Sequence, residues 1–162
     1  DLTRLLFPEA RVALMVSEEA PVWVTNEINH LQGDDFTVFA KKPEDSLNRV
    51  LKETLAEHDV LLGTVDSGIY NPSTIKNILI TAYRQNIPLI GPHQAYIRAG
   101  SIATTYSSLA DTVKRLAEII EAETLPKPGY NPYFSVTVNE QVARSLDILL
   151  PADTAELTSQ LR

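Results

Sequence analysis

Apolar runs and polar breaks alternate with a regular beat over the first ninety residues. Arg11–Ser17 encloses the continuous apolar run Val12–Val16, and in Val60–Val65 every residue but Gly63 is apolar or β-branched. Such runs suit strands covered on both faces. Phe36–Ala40 and Ile87–Ile90 read as two more strands. Between them the period changes. Val24, Ile28 and Leu31 share one face of a helix over Pro21–Leu31, and Leu47, Val50, Leu51 and Leu55 form a stripe in the next. That second helix is expected to open at Pro43, with Glu44 and Asp45 in its first turn. Ile75, Ile78, Leu79 and Ala82 mark a third, with Asn71 as its cap, Pro72 at its first position and Asn86 as a left-handed stop. The order β-α-β-α-β-α-β with short connections predicts an α/β fold: parallel strands, right-handed crossovers and helices on both faces of the sheet.

The order changes beyond Gly91. Ala99–Tyr106 reads as a strand entered through Gly100, and Ser108 with Asp111 as a weaker relative of the capping box. Val113, Leu116, Ala117 and Ile120 make the apolar face of the helix that follows. Leu125–Pro132, with three prolines, is an extended crossing segment. Tyr133–Val138 alternates as a strand does, Asn139–Leu146 is a short helix, and a small helix closes the tail after Pro151. Asp1–Pro8 is a connecting helix or arm whose Leu2, Leu5, Leu6 and Phe7 need cover.

Ligands of open α/β sheets bind beyond the carboxyl ends of the strands. Three loops are expected on that edge: Ser17–Ala20, Asp66–Asn71 and Gly91–Gln94. They bring carboxylates, hydroxyls, a tyrosine and a histidine together, with backbone N–H groups for an anionic end of a ligand and Asp66 for a cationic one. The candidate ligand-binding residues are Asp66, Ser67 and Tyr70, with Ser17, Glu18 and His93 farther out. Each has a plainer role beside this one. Asp66 could simply hold its turn, Tyr70 could pack, and Trp23 is read as a packing residue at the head of its helix.

Phosphate-binding chemistry is missing: there is no G-x-G-x-x-G and no Walker sequence. No nucleophile elbow appears, and His30, His58 and His93 lack metal-ligand spacing. A receiver-type phosphorylation site would need a lysine after the fourth strand, where Ile90–His93 has none. No enzyme activity, cofactor or metal is expected. A net charge of −7 argues against nucleic acid and anionic membrane as partners. The absence of cysteine excludes disulfides and thiolate chemistry. At 162 residues the chain suits one domain, or one lobe of something larger. It opens at Asp1, which reads as a processed or trimmed product without a signal peptide of its own.

Four stretches carry a resemblance to a known family. They are Asp66–Thr74, Ala82–Gly91, Tyr96–Ala103 (similar to a "v-x-x-G-A-l-A" crossing segment) and Tyr133–Leu146, where an Asn opens the closing helix. Together and in this order they resemble the substrate-binding proteins of ABC transporters, with the type I periplasmic-binding-protein-like (flavodoxin-like) fold. Ser101 stands where the family has Ala, and Tyr106–Ser108 where many members have Gly-x-Asp. The resemblance implies two lobes with a ligand between them. Residues 1–92 would then form one lobe's core, 93–132 an inter-lobe crossing, and 133–162 a strand and helices returning to the first lobe. Roughly 100 residues of the other lobe would be missing ahead of Asp1. It further implies capture of a small polar, amino-acid-like solute by hinge closure, delivery to a membrane permease, and a periplasmic or extracytoplasmic location. A ligand-sensing regulatory or signalling module on the same fold is the alternative. The apolar face of the 108–121 helix would lack the sheet it was built to cover, so self-association as a homodimer through residues 93–124 is expected.

Overall fold

The computed structural model describes residues 2–31, 36–122, 124–127, 129–150 and 154–161, with the side chains at 154 and 155 outside that description. Its centre is a six-stranded sheet: β1 (Val12–Ser17), β2 (Phe36–Lys41), β3 (Val60–Leu62), β4 (Leu89–Ile90), β5 (Ala103–Tyr106) and β6 (Ser135–Val138), in the order β2-β1-β3-β4-β5-β6. All neighbours pair parallel except β6, which runs antiparallel to β5. The order reverses at β1: β2 lies on one side of it and β3 on the other. Such a reversal opens a crevice beyond the strands' carboxyl ends.

The continuous apolar runs follow from burial on both faces. Val12, Leu14 and Val16 point into one core, shared with Leu2 of α1 (Leu2–Leu6), Val24 and Ile28 of α2 (Val22–Leu31), and Ile102. Ala13 and Met15 point the other way, into a core with Val50, Leu51 and Leu55 of α3 (Leu47–Leu55) and Ile78, Leu79 and Ala82 of α4 (Ile75–Tyr83). Tyr96 of α5 (Ala95–Ala99) joins that second core. Val142 and Ala143 of α7 (Glu140–Ser145) and Leu157 of α8 (Thr154–Gln160) join the first. Each fully buried aliphatic side chain contributes about 1.5–3 kcal/mol, so β1, with five successive buried residues, anchors the molecule.

Three boundaries differ from the sequence expectation. α3 opens at Leu47, not at Pro43, because residues 43–45 form a turn in which Asp45 accepts the Lys42 N–H. α4 opens at Ile75: Asn71 instead accepts the Ser73 N–H, and Pro72 lies in the turn before the helix. Ala95–Ala99 is α5, so the strand expected from Ala99 opens only at Ala103. Gly100 is the cap of α5, with a φ of 125°, and Tyr83 donates its hydroxyl to the Gly100 carbonyl. Asn86 does adopt the left-handed conformation, at φ 56°. The tail helix is present as α8, while residues 151–153 and 162 lie outside the described residues.

Of the segment 93–132, the strand β5 joins this sheet between β4 and β6. Its helix α6 (Leu109–Glu121), opened by a full Ser108–Asp111 capping box, buries none of its residues.

Candidate functional site

The crevice between β1 and β3 is held together by one carboxylate. Asp66, 2% exposed, accepts the Ser17 N–H at 2.5 Å through Oδ2 and the Gly68 N–H at 2.9 Å through Oδ1. Its carbonyl accepts the Ile69 and Tyr70 N–H groups at 3.1 and 2.8 Å, closing a turn in the loop that follows β3. Gly68 must come this close to β1. A Cβ there would lie 2.8 Å from Ser17 Oγ and 3.1 Å from Asp66 Oδ1. The rest of the loop is tied in turn: Asn71 Nδ2 donates to the Ser67 carbonyl at 2.9 Å, and Thr74 Oγ1 donates to the Ile69 carbonyl at 2.5 Å. On the β1 side, Glu18 N–H bonds the Lys41 carbonyl and Ala20 N–H bonds the Ser17 carbonyl, each at 3.1 Å.

This scaffold frames a pocket of about 370 Å³ lined by Ser17, Glu18, Glu19, Pro21, Lys41, Pro43, Asp66, Ser67 and Gly68. Four sequence candidates, Ser17, Glu18, Asp66 and Ser67, therefore meet. Their roles differ. Ser67, Glu18 and Glu19 are exposed at the mouth, with Ser17 and Lys41 half-buried. Asp66 forms the floor, and the N–H groups of Ser17 and Gly68, which an anionic ligand end would have used, are taken by Asp66 itself. What faces a ligand is a set of hydroxyls and two glutamates, while the Lys41 ammonium donates to the Lys42 carbonyl at 2.8 Å; the surface can hydrogen-bond a small polar molecule and favour its cationic part.

The other two candidates lie elsewhere. Tyr70 is inside the second core, and its hydroxyl is buried with no hydrogen bond of ordinary geometry. Burial pushes the phenol far above its ordinary pKa, opposed only in part by the nearby backbone of Met15. His93 is exposed, packs edge-on against Tyr96, and lines a separate, larger cleft of about 1060 Å³ with Gly63, Tyr106, Tyr133 and Phe134. Lys41 and Pro43 were not singled out from the sequence. The rule that selected the other loops would have found them, because Lys41 ends β2 and Pro43 follows it. Trp23, read as packing, is 60% exposed in the first turn of α2. Among the described residues no group of three or more His, Cys, Asp or Glu side chains is placed to hold a metal ion, and no helix is long and apolar enough to cross a membrane.

No family model matches the chain, and no curated protein sequence does. Solved structures do. A conserved domain protein from Vibrio cholerae shares 17% identity over 96% of this chain, with a TM-score of 0.67. An ABC domain from Streptococcus pneumoniae in complex with L-Trp shares 15% over 96%, also at 0.67. The ligand-free, open structure of a substrate binding protein with adhesive properties from Clostridium difficile shares 18% over 94%, at 0.69. The chain has the α/β fold of these proteins over nearly its whole length, and spans 56%, 56% and 55% of theirs.

Proposed function

We propose that this chain is the solute-binding component of an ABC-type transport system. It holds a small polar, amino-acid-like solute at the β1/β3 crevice and passes it to a membrane permease in an extracytoplasmic compartment. It binds its ligand and does no chemistry on it. The observation that carries this is the pinned pocket. Asp66 spends both carboxylate oxygens on making two loops into one rigid surface, and a rigid, pre-shaped surface loses little entropy on binding. The hydroxyls and carboxylates it displays fit a zwitterion or amine. Two of the similar structures support the same reading, one through its bound L-Trp and one through its description as a substrate binding protein. Both are nearly twice as long as this chain, so a pocket open on one side is half of a clamp, to be closed by a second lobe.

An amide NMR titration of this chain with L-tryptophan, other zwitterionic amino acids, simple amines and carboxylates tests the proposal. Shifts confined to residues 17–20, 41–43 and 66–68 are expected, in the millimolar range for an open half-site. Shifts clustered elsewhere, or none with any probe, would overturn it.

A further inference from the structure

The carboxyl edge of the sheet carries two openings of opposite chemistry. The β1/β3 pocket is lined by Glu18, Glu19, Lys41 and Asp66. The cleft of about 1060 Å³ beyond β3, β4 and β5 has no such groups: among the described residues that line it, none is Asp, Glu, Lys or Arg, in a chain that is 22% charged. Rings take their place. His93, Tyr106, Tyr130, Tyr133 and Phe134 line the cleft, and Thr105, Ser107 and Asn131 add hydroxyls and an amide. The wall that carries three of these rings is fastened to its surroundings. Tyr130 donates its hydroxyl to Glu27 of α2, and Tyr133 to Glu118 of α6. The Tyr133 N–H bonds Asn131 Oδ1 at 3.0 Å, and the Tyr133 carbonyl accepts Ser107 Oγ at 2.7 Å. With both hydroxyls given to carboxylates, what these two tyrosines offer a ligand is ring surface.

We propose that this cleft is a second ligand site, for an uncharged, planar heteroaromatic small molecule. Charge decides the class. An ion entering the cleft gives up water and meets no counter-charge on the lining, and burying a charge is costly unless it is paired. The charged groups behind the tyrosines do not select a sign. Lys114 Nζ stands 3.8 Å from the centre of the Tyr133 ring, and Glu118, bonded to the same residue's hydroxyl, is paired with Arg115 at 3.2 Å. Glu27 is exposed, where water and salt screen it. Shape decides the rest. Flat rings stack offset or edge-on against aromatic side chains, while hydroxyls and an amide bond ring nitrogens or a carboxamide, the few polar groups of an otherwise apolar pocket. The volume is at the upper limit of what small-molecule pockets span, ~300–1000 Å³, and leaves room for two fused rings with a substituent. Both walls belong to this chain: the strand ends on one side, and residues 130–134 with Leu2 and Leu161 on the other. The site is therefore built without a second lobe, and its fastened wall spares ordering entropy on binding. The proposal does not depend on the transport reading.

Four small probes separate charge from ring. Nicotinamide is neutral, nicotinate an anion and 1-methylnicotinamide a cation, while cyclohexanecarboxamide keeps the amide and lacks the aromatic ring. In amide NMR titrations of this chain, nicotinamide should shift residues 62–63, 91–93, 105–107 and 130–134. The other three should bind ~10-fold more weakly or worse, for want of a counter-charge or of stacking. Adenosine, with two fused rings, should shift the same residues at lower concentration than nicotinamide. Thr105→Glu puts a carboxylate at an exposed lining position, and Tyr130→Leu removes a ring that is 81% exposed. Both should weaken nicotinamide and leave the far-ultraviolet circular dichroism spectrum unchanged. No shift at these residues with either nicotinamide or adenosine overturns the proposal and assigns the cleft to packing against another segment. So does tighter binding of either charged probe, equal binding of cyclohexanecarboxamide, or an affinity that neither substitution alters.

Discussion

Asp66 and Ser17, 49 residues apart in sequence, are joined by a 2.5 Å bond from a backbone N–H to a carboxylate. That bond, with its companion to Gly68, is what turns two strand-end loops into a site. Removing the carboxylate leaves two part-buried donors, at up to about 1–3 kcal/mol for each one left unsatisfied. Asp66→Ala should lower the melting temperature by several degrees, given about 2–4 °C per kcal/mol at this chain length. Under the proposed function it should also weaken ligand binding at the pocket. Calorimetric melting and titration of the same variant separate the two effects. Unaltered melting would show that the clamp carries no stability.

Much of this was legible before any coordinates. β1 and β3 announce themselves because strands buried on both faces need unbroken apolar runs, and the rule for ligand sites then points to the residues just after them. What escaped were features set by local hydrogen-bond competition. Asp45 and Asn71 sit where they could cap helices, yet each uses its side chain inside the preceding turn, delaying α3 and α4. α5 is a five-residue helix with no periodicity long enough to detect. Tyr70 reads as polar and follows the site loop directly, but the turn closed by the Asp66 carbonyl carries it beneath the sheet.

That burial makes Tyr70→Phe informative. The hydroxyl lies in the core with no hydrogen bond of ordinary geometry, the Met15 backbone being its polar neighbour, and deleting a buried group so weakly paired recovers part of a desolvation cost of about 1–3 kcal/mol. The variant should unfold at equal or higher urea concentration than the parent. Clear destabilisation would mean the hydroxyl is bonded after all, through a buried water for instance.

Gly100 is expected to tolerate no side chain. At φ 125° an L residue is strained, and a Cβ would stand 3.1 Å from Tyr83 Oη. Gly100→Val should therefore cost about 1–3 kcal/mol from the backbone alone, read as a lowered urea midpoint. Tyr83→Phe, which removes the hydroxyl but leaves the backbone strain, should rescue only a minor part of it.

Arg11 and Asp59 tie the start of β1 to the segment before β3, at 2.9 Å between Nη2 and Oδ1. The guanidinium, and then the Arg11 N–H, hold the Asp59 carboxyl below its usual pKa. A lowered folded-state value means stability that is fully present above the unfolded pKa of about 3.9 and is lost as pH falls through the folded value. Both side chains are about half exposed, so screening limits the contribution to about 0.2–1 kcal/mol. Asp59→Asn should lower the urea midpoint slightly at pH 7 and leave it unchanged near pH 2. An equal loss at both would assign the effect to packing.

Gly68 and Ser17 should prove coupled. A methyl group at 68 would lie 2.8 Å from Ser17 Oγ, the end of a side chain that can rotate, and 3.1 Å from an Asp66 oxygen that cannot move without releasing its N–H partners. Gly68→Ala alone must displace the serine, loosen the clamp, or both, at about 1–3 kcal/mol for a small overpacking. Ser17→Ala removes the first obstacle and keeps the 17 N–H that Asp66 needs. The double variant should then recover part of the lost stability, giving an interaction energy of at least 0.5 kcal/mol in a double-mutant cycle. Strict additivity of the two substitutions would show that the β3 loop does not press on β1 at this point, and that the pocket floor is looser than its hydrogen bonds imply.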